Sequence, residues 1–233
     1  MSDDLLRSEE APLHGYQGGR HAAPRATVPL APSIAISREV GARGGDVARQ
    51  LGAKTRWMVY DSELLGYSSQ DPSAYDSVLA DLPAEVGAWI EERMQLLHAT
   101  GVLADDPAFE RVSRLILALG AKGEAVFVGR GAGFLLPRET TLHVRLTAPL
   151  PDRIAYMSQW LRLPREEAAA QVTAREAKRT EFLDKCFHLP ADGLIYDLVL
   201  NSSTLGSDLC ADLIVMALRC KTAQNLTPLP ESA

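Results

Sequence analysis

Two short apolar runs, each passing straight into glycines, constrain this chain more than any other feature. Ser33-Ile-Ala-Ile-Ser37 is followed by Gly41, Gly44 and Gly45, and Ala125-Val-Phe-Val128 by Gly129, Gly131 and Gly133. Apolar runs this short, bounded by turn formers, suit strands buried on both faces, and such strands belong to parallel sheets covered by helices. Trp57–Tyr60, Leu142–Thr147 and Tyr196–Leu200 supply three further strand candidates. Helical spacing fills the gaps between them. A helix opens at Asp46–Leu51; Val86, Ile90, Met94 and Leu97 recur within 83–98, and Phe109, Val112, Ile116 and Leu119 share one face of 107–119. Further helices are expected over 151–161, 164–187 and 206–220. Strands alternating with helices predict an α/β fold, a parallel sheet flanked by helices.

Composition narrows the partners. The 233 residues carry a formal charge of −6, whereas a general nucleic-acid binder shows a basic excess, so no nucleic-acid partner is expected. No apolar run approaches the ~20 residues that span a bilayer, so no membrane partner is expected either. The first 32 residues lack a positive start followed by an apolar core, the pattern of a secretory signal. Three cysteines without CxxC spacing fit inert thiols in a reducing, cytoplasmic compartment. The five histidines form no HExxH or Cys/His cluster, and no metal ligands are evident. Residues 1–30 and 221–233 lack periodicity and are expected to be a disordered arm and tail around one domain, 31–220. Charge is uneven within it. Acids outnumber bases 12 to 4 over 61–124, while bases outnumber acids 10 to 7 over 130–185, which fits either a compact-anion site or a solvated helix face.

In doubly wound sheets ligands sit beyond the carboxyl ends of the strands. After the first strand come Ser37, Arg38, Gly41, Ala42, Arg43, Gly44, Gly45 and Asp46, a glycine-rich turn into a helix whose backbone N–H groups could converge on a phosphate. An ordinary glycine turn has the same composition. The Walker A pattern GxxxxGK[ST] places a lysine on the phosphates and a hydroxyl on Mg²⁺. Here neither is present over Gly44, Gly45 and Asp46, and Arg38 or Arg43 could supply the missing charge. Arg130, among the second set of glycines, could grip an anion or pair with a carboxylate. Those glycines imitate a dinucleotide fingerprint, but Phe134 replaces its third glycine and the next strand ends in Thr147-Ala-Pro149 without an acid for a ribose.

Four stretches in order carry a resemblance. Ile36-Ser-Arg-Glu-Val-Gly41 with Gly44-Gly45, Tyr60-Asp61-x-Glu-Leu64, Val128-Gly-Arg-Gly131 and Tyr196-Asp-Leu-Val-Leu-Asn-Ser-Ser-x-Leu-Gly206 are similar to the ISREYGSGG, YDKEL, VGRCA and YDLxINTSxLG elements of the cytidylate kinase-like family. The resemblance implies a P-loop kinase-like three-layer sandwich, with a helical acceptor-binding insertion at about 64–120 and a lid at about 173–190. It also implies a small-molecule nucleotide partner, ATP and Mg²⁺ as cofactors, and phosphoryl transfer to a CMP-like nucleoside monophosphate or similar small acceptor. Arg175-Glu-Ala-Lys-Arg179 resembles the R-D-x-x-R lid of cytidylate kinases, with Arg175 and Arg179 on one helical face and Glu176 in the acidic place. A solvated helix with i,i+4 pairs would read the same. Asp61 could orient or deprotonate the acceptor, or cap a helix. Authentic cytidylate kinases carry Gly-Arg-Asp where this chain has Gly129-Arg130-Gly131, a lost carboxylate expected to contact the acceptor. The missing loop lysine is usual in the family. A nucleotide-binding regulatory protein with little turnover, or an interaction module with a vestigial site, are the alternative readings.

Overall fold

Five parallel strands in the order β2-β3-β1-β4-β5 form the centre of the molecule in a computed structural model that describes residues 28–80, 82–188 and 196–226. In chain order the described elements are β1 (Ser33–Arg38), α1 (Gly44–Thr55), β2 (Met58–Tyr60), α2 (Ser62–Gln70), α3 (Pro72–Ala80), α4 (Ala84–Ala99) and α5 (Pro107–Lys122). They continue with β3 (Ala125–Val128), α6 (Ala132–Leu135), β4 (Thr141–Thr147), α7 (Leu150–Leu161), α8 (Arg165–Cys186), β5 (Leu198–Asn201) and α9 (Ser202–Leu226). Ser33 at the start of β1 pairs with Ala125 on one side and Thr141 on the other, so β1 is the central strand.

The period of two decides the layers. Ile34, Ile36, Val126, Val128, Leu142, Val144 and Leu146 enter one apolar cluster with α1 and α9. Ala35, Ala125 and Phe127 enter the other, with α4, α5 and α6. The result is a three-layer α/β sandwich with two cores on one sheet. Burying each large apolar side chain contributes about 1.5–3 kcal/mol, which is why strands this short hold. Leu115, Ile116, Leu117 and Ala118 of α5 are fully buried, so α5 belongs to the sheet-covering layer although it lies within the stretch read as an insertion.

A third, small cluster joins α7 to α8 through Met157, Ala168 and Val172, with Val40 from the loop after β1 packed against it. The far end of α8 is tied down separately. Ala104 N–H donates to Cys186 O at 3.0 Å, His188 N–H to Val102 O at 3.1 Å, and Lys185 pairs with Asp106 at 2.7 Å. The expected lid stretch thus runs along α8 to Cys186 and on through the non-helical Phe187 and His188; its residues 189 and 190 lie outside the described residues.

Two boundaries differ from expectation. Val28 is buried in the α5-side core and Leu30 N–H donates to Ala121 O at 3.0 Å, so 28–30 belong to the domain and not to an arm. The last helix passes through non-helical Gly206 (φ 76°) and continues to Leu226, beyond the expected end at 220. Lys221 explains the extension, since its ammonium donates to Thr141 O at 2.9 Å and to Asp197 Oδ2 at 2.8 Å. The arm over 1–27 and the tail over 227–233 lie outside the described residues. Among the described residues no helix is long and apolar enough to cross a membrane, and no group of three or more His, Cys, Asp or Glu is placed to hold a metal. Cys186 and Cys210 are buried free thiols, and Cys220 is an exposed one.

Candidate functional site

At the carboxyl ends of β1 and β3 the sheet opens into a cavity of about 470 Å³, walled by the loop after β1, the start of α1, Ser62 of α2, Arg130, and the facing sides of α7 and α8. That volume suits a small ligand. The turn that forms its floor depends on backbone freedom. Gly41 has φ 84°, and a Cβ there would stand 2.6 Å from Arg153 O. Arg43, at the N-cap of α1, is itself left-handed (φ 54°) and offers no side-chain cap, so the first N–H groups of α1 face the cavity end without a capping partner. Such a helix terminus is suited to an anion.

Seven basic side chains line the cavity: Arg38, Arg43, Arg49, Arg130, Arg175, Lys178 and Arg179, against two acids, Glu39 and Asp46. In a chain of net charge −6 this is a strongly positive concavity. Arg38 Nη2 donates to Ser62 Oγ at 3.5 Å. Burial lowers the pKa of its guanidinium, as do nearby Arg179 and Arg130, with Asp61 opposing them. Burial, then Arg145, likewise pulls Arg179 down, while Tyr196, Glu176 and Glu39 act against the shift. Arg130 is left-handed (φ 53°) between Gly129 (φ 83°) and Gly131 (φ 68°). Its Nε donates to Ser62 O at 3.2 Å and its guanidinium lies over the Phe182 ring, 5.4 Å from the centroid. Among the described residues a backbone carbonyl and an aromatic face hold Arg130, not a carboxylate.

Of the residues singled out from the sequence, Arg38, Gly41, Arg43, Gly44, Gly45, Asp46, Arg130, Arg175 and Arg179 come together on this cavity. Three do not line it. Ala42 is fully buried in the α1-side core, and only its carbonyl is used, accepting from Ser202 Oγ at 2.8 Å. Ser37 is buried and shares a hydrogen bond with His143 Nε2 at 3.2 Å. Asp61 caps α2, its Oδ1 accepting from Glu63 N and Leu64 N at 3.0 and 2.8 Å.

Sequence reasoning missed a group on α7. Arg153, Tyr156, Met157 and Trp160 recur at i, i+3, i+4 and i+7, which puts all four on one face, and that spacing was the available signal. Arg153 is buried and ties three segments together. Its Nε donates to Ala148 O at 3.0 Å, and its Nη1 donates to Val40 O at 3.2 Å and to Glu176 Oε1 at 2.6 Å. Glu176 Oε1 also accepts from Val40 N at 3.3 Å, and Glu39 Oε2 lies 3.6 Å from Arg153 Nε. The acidic residue of the lid motif thus fastens α8 to the loop after β1.

Tyr156 O–H donates to Asp46 Oδ2 at 2.8 Å, while Arg49 donates to Oδ1 at 3.1 Å. Burial, together with this bond and the carboxylate charge, pushes the Tyr156 phenol up to about 12. Between pH 10 and about 12 the unfolded chain releases that proton while the folded chain keeps it, so stability falls as pH rises through this window. Denaturation midpoints on either side of pH 10 are expected to show the fall, and Tyr156→Phe to flatten it.

The model of the cytidylate kinase-like family matches residues 33–204. A cytidylate kinase of Ignicoccus hospitalis is 26% identical over 140 residues, covering 59% of this chain and 78% of its own. The solved structure of an uncharacterized protein from Eubacterium ventriosum aligns with a TM-score of 0.63 at 18% identity, over 81% of this chain and 98% of that one, a likeness of fold. The family match runs from the first residue of β1 into the first turn of α9 and so takes in all five strands and the cavity wall. This chain belongs to the cytidylate kinase-like family.

Proposed function

We propose that the protein transfers the γ-phosphoryl group of ATP to a phosphate oxygen of a nucleoside monophosphate or a similar small acceptor, giving ADP and the acceptor's diphosphate. The observation that carries this reading is the cavity in which seven basic side chains and the uncapped start of α1 converge. Phosphoryl transfer asks mainly for positioning and for positive charge around the transferred group. In this reading the N–H groups at Gly44 to Asp46 hold the donor phosphates and Arg130 holds the acceptor phosphate. Arg179 and Arg175, four residues apart on α8, neutralise the group in transit. An acceptor phosphate oxygen is already an anion at neutral pH, so no general base is needed. Asp61 is left to cap α2 and to support the charge of Arg38.

Mg²⁺ commonly takes one or two carboxylates and completes its shell with phosphate oxygens and water. Asp46, on the cavity wall in the first turn of α1, fits that donor set and would hold an ion that arrives with the nucleotide and offsets phosphate charge. A binding protein with little turnover is the second reading, favoured by glycine at 44 where a lysine is expected.

A transfer screen with labelled ATP and Mg²⁺ against CMP, dCMP, UMP, AMP and GMP separates the two. Transfer to one acceptor is expected, with Arg179→Ala lowering kcat by about 10²–10³-fold, the usual effect of removing one donor to developing charge. Nucleotide binding without transfer to any acceptor would favour the regulatory reading.

A further inference from the structure

We propose that Arg38 has taken over the place and the task of the missing loop lysine, reaching the donor's terminal phosphates from the end of β1 instead of from α1. The inference rests on the proposed transfer reaction and deepens it. Gly44 stands where a Walker lysine would start. A Cβ built on Gly44 would lie 2.7 Å from Arg38 Cγ, 3.1 Å from its Cβ and 3.3 Å from its Cδ. The Arg38 stem therefore fills the volume through which a lysine side chain at 44 would have to leave the backbone. Arginine at 38 and lysine at 44 exclude one another, so the glycine is the counterpart of the arginine and not a sign of decay.

The head group ends in a suitable place. A Cβ on Gly129 would overlap Arg38 Nη1, so the guanidinium reaches the tip of β3, next to Arg130. It stands between the helix end that would hold the donor and the arginine that would hold the acceptor. Among the described residues its side-chain hydrogen bond goes to Ser62 Oγ and is long at 3.5 Å, and a planar fork of five N–H donors has capacity beyond that. Burial beside Arg179 and Arg130, with Asp61 as the opposing charge, is an arrangement that an incoming anion relieves. Arg43 is the other candidate for the lysine's role. Its guanidinium instead lies over the Tyr156 ring, 5.1 Å from the centroid, on the α7 wall.

The test combines turnover with a binding measurement that needs no turnover. Arg38→Ala and Arg38→Lys, Arg43→Ala, Gly44→Lys and the exchange variant Arg38→Gly/Gly44→Lys are assayed for kcat and KM(ATP). Affinities for ADP and for AMP are measured by calorimetry, and folding is checked by thermal unfolding. Arg38→Ala is expected to lose about 10²-fold or more in kcat. Its ADP-over-AMP preference is expected to drop about tenfold, the scale of one charge-assisted phosphate contact. Arg43→Ala is expected to lose less on both counts. Gly44→Lys alone should be defective, and the exchange variant should exceed Arg38→Ala in kcat by at least about tenfold, because the lysine then has its path. A folded Arg38→Ala with unchanged kcat and an unchanged ADP-over-AMP ratio overturns the inference while leaving the kinase reading intact. If the wild type transfers phosphate to no acceptor, the kinase reading fails, and the ADP-over-AMP ratio still decides the placement of Arg38. If the exchange variant does not fold, the Ala and Lys single variants decide it by the same ratio.

Discussion

Arg153→Met is expected to lower stability by about 3 kcal/mol, the lower end of what breaking a buried ion pair costs. The lower end applies because the two carboxylates it faces retain some solvent, Glu39 at 23% and Glu176 at 33% side-chain exposure, while Arg153 itself is at 10%. Methionine matches the stem but supplies no donor. Ala148 O and Val40 O lose their side-chain hydrogen bonds, and Glu39 and Glu176 are left with their charges uncompensated by Arg153. Since Glu176 Oε1 also receives Val40 N–H, the loop after β1 and α8 should loosen together. Urea denaturation is expected to show a lower midpoint with an unchanged slope, and transfer should fall further than the folded fraction accounts for. Glu176→Gln keeps an acceptor oxygen for both donors and should cost less. A stability within about 1 kcal/mol of wild type for Arg153→Met would mean that desolvation cancels the network's attraction, as some buried pairs do.

Gly131→Asp, the change that would restore the Gly-Arg-Asp pattern of authentic cytidylate kinases, is expected to damage the protein instead of conferring a preference for CMP. A Cβ at 131 would overlap the ring of Phe187, and Gly131 is left-handed at φ 68°. Over-packing of this kind costs about 1–3 kcal/mol, and a side chain in the left-handed region adds roughly 1 kcal/mol. Phe187 cannot simply turn aside, because its ring packs edge-on against Phe109 at 5.1 Å and Phe134 at 5.2 Å. Thermal unfolding should show the loss. In the double variant Gly131→Asp/Phe187→Ala, the two effects should be non-additive by at least about 1 kcal/mol, since both act on one volume. Additive losses would show that Phe187 is not what excludes a carboxylate from this position. A phenyl ring distant in sequence from Gly131 thus occupies the space that a carboxylate at 131 would need.

The sequence alone determined the features that depend on neighbouring residues. Short apolar runs ending in glycines announced β1 and β3, and helical spacing announced α4, α5, α7 and α8, because strand and helix periods are local properties of the chain. The same locality made the loop from Arg38 to Asp46, Arg130, and the pair Arg175 and Arg179 legible as a group of cations and glycines at strand and helix ends. Tertiary structure decided what those side chains face. Ala42 looked like part of the phosphate loop, but the turn between β1 and α1 puts it in the core under α1. Asp61 could have been a base or a cap, and the start of α2 takes it as a cap. The proposed choice of Arg38 over Arg43 as the lysine's stand-in rests on a ring of α7 and on the Arg38 stem that fills the volume above Gly44. The fastening of α8 by Arg153 and the plug that Phe187 makes against Gly131 join residues 23 and 56 positions apart. No local pattern encodes such pairs, because side-chain direction and excluded volume exist only once the strands have been ordered and the helices laid across them.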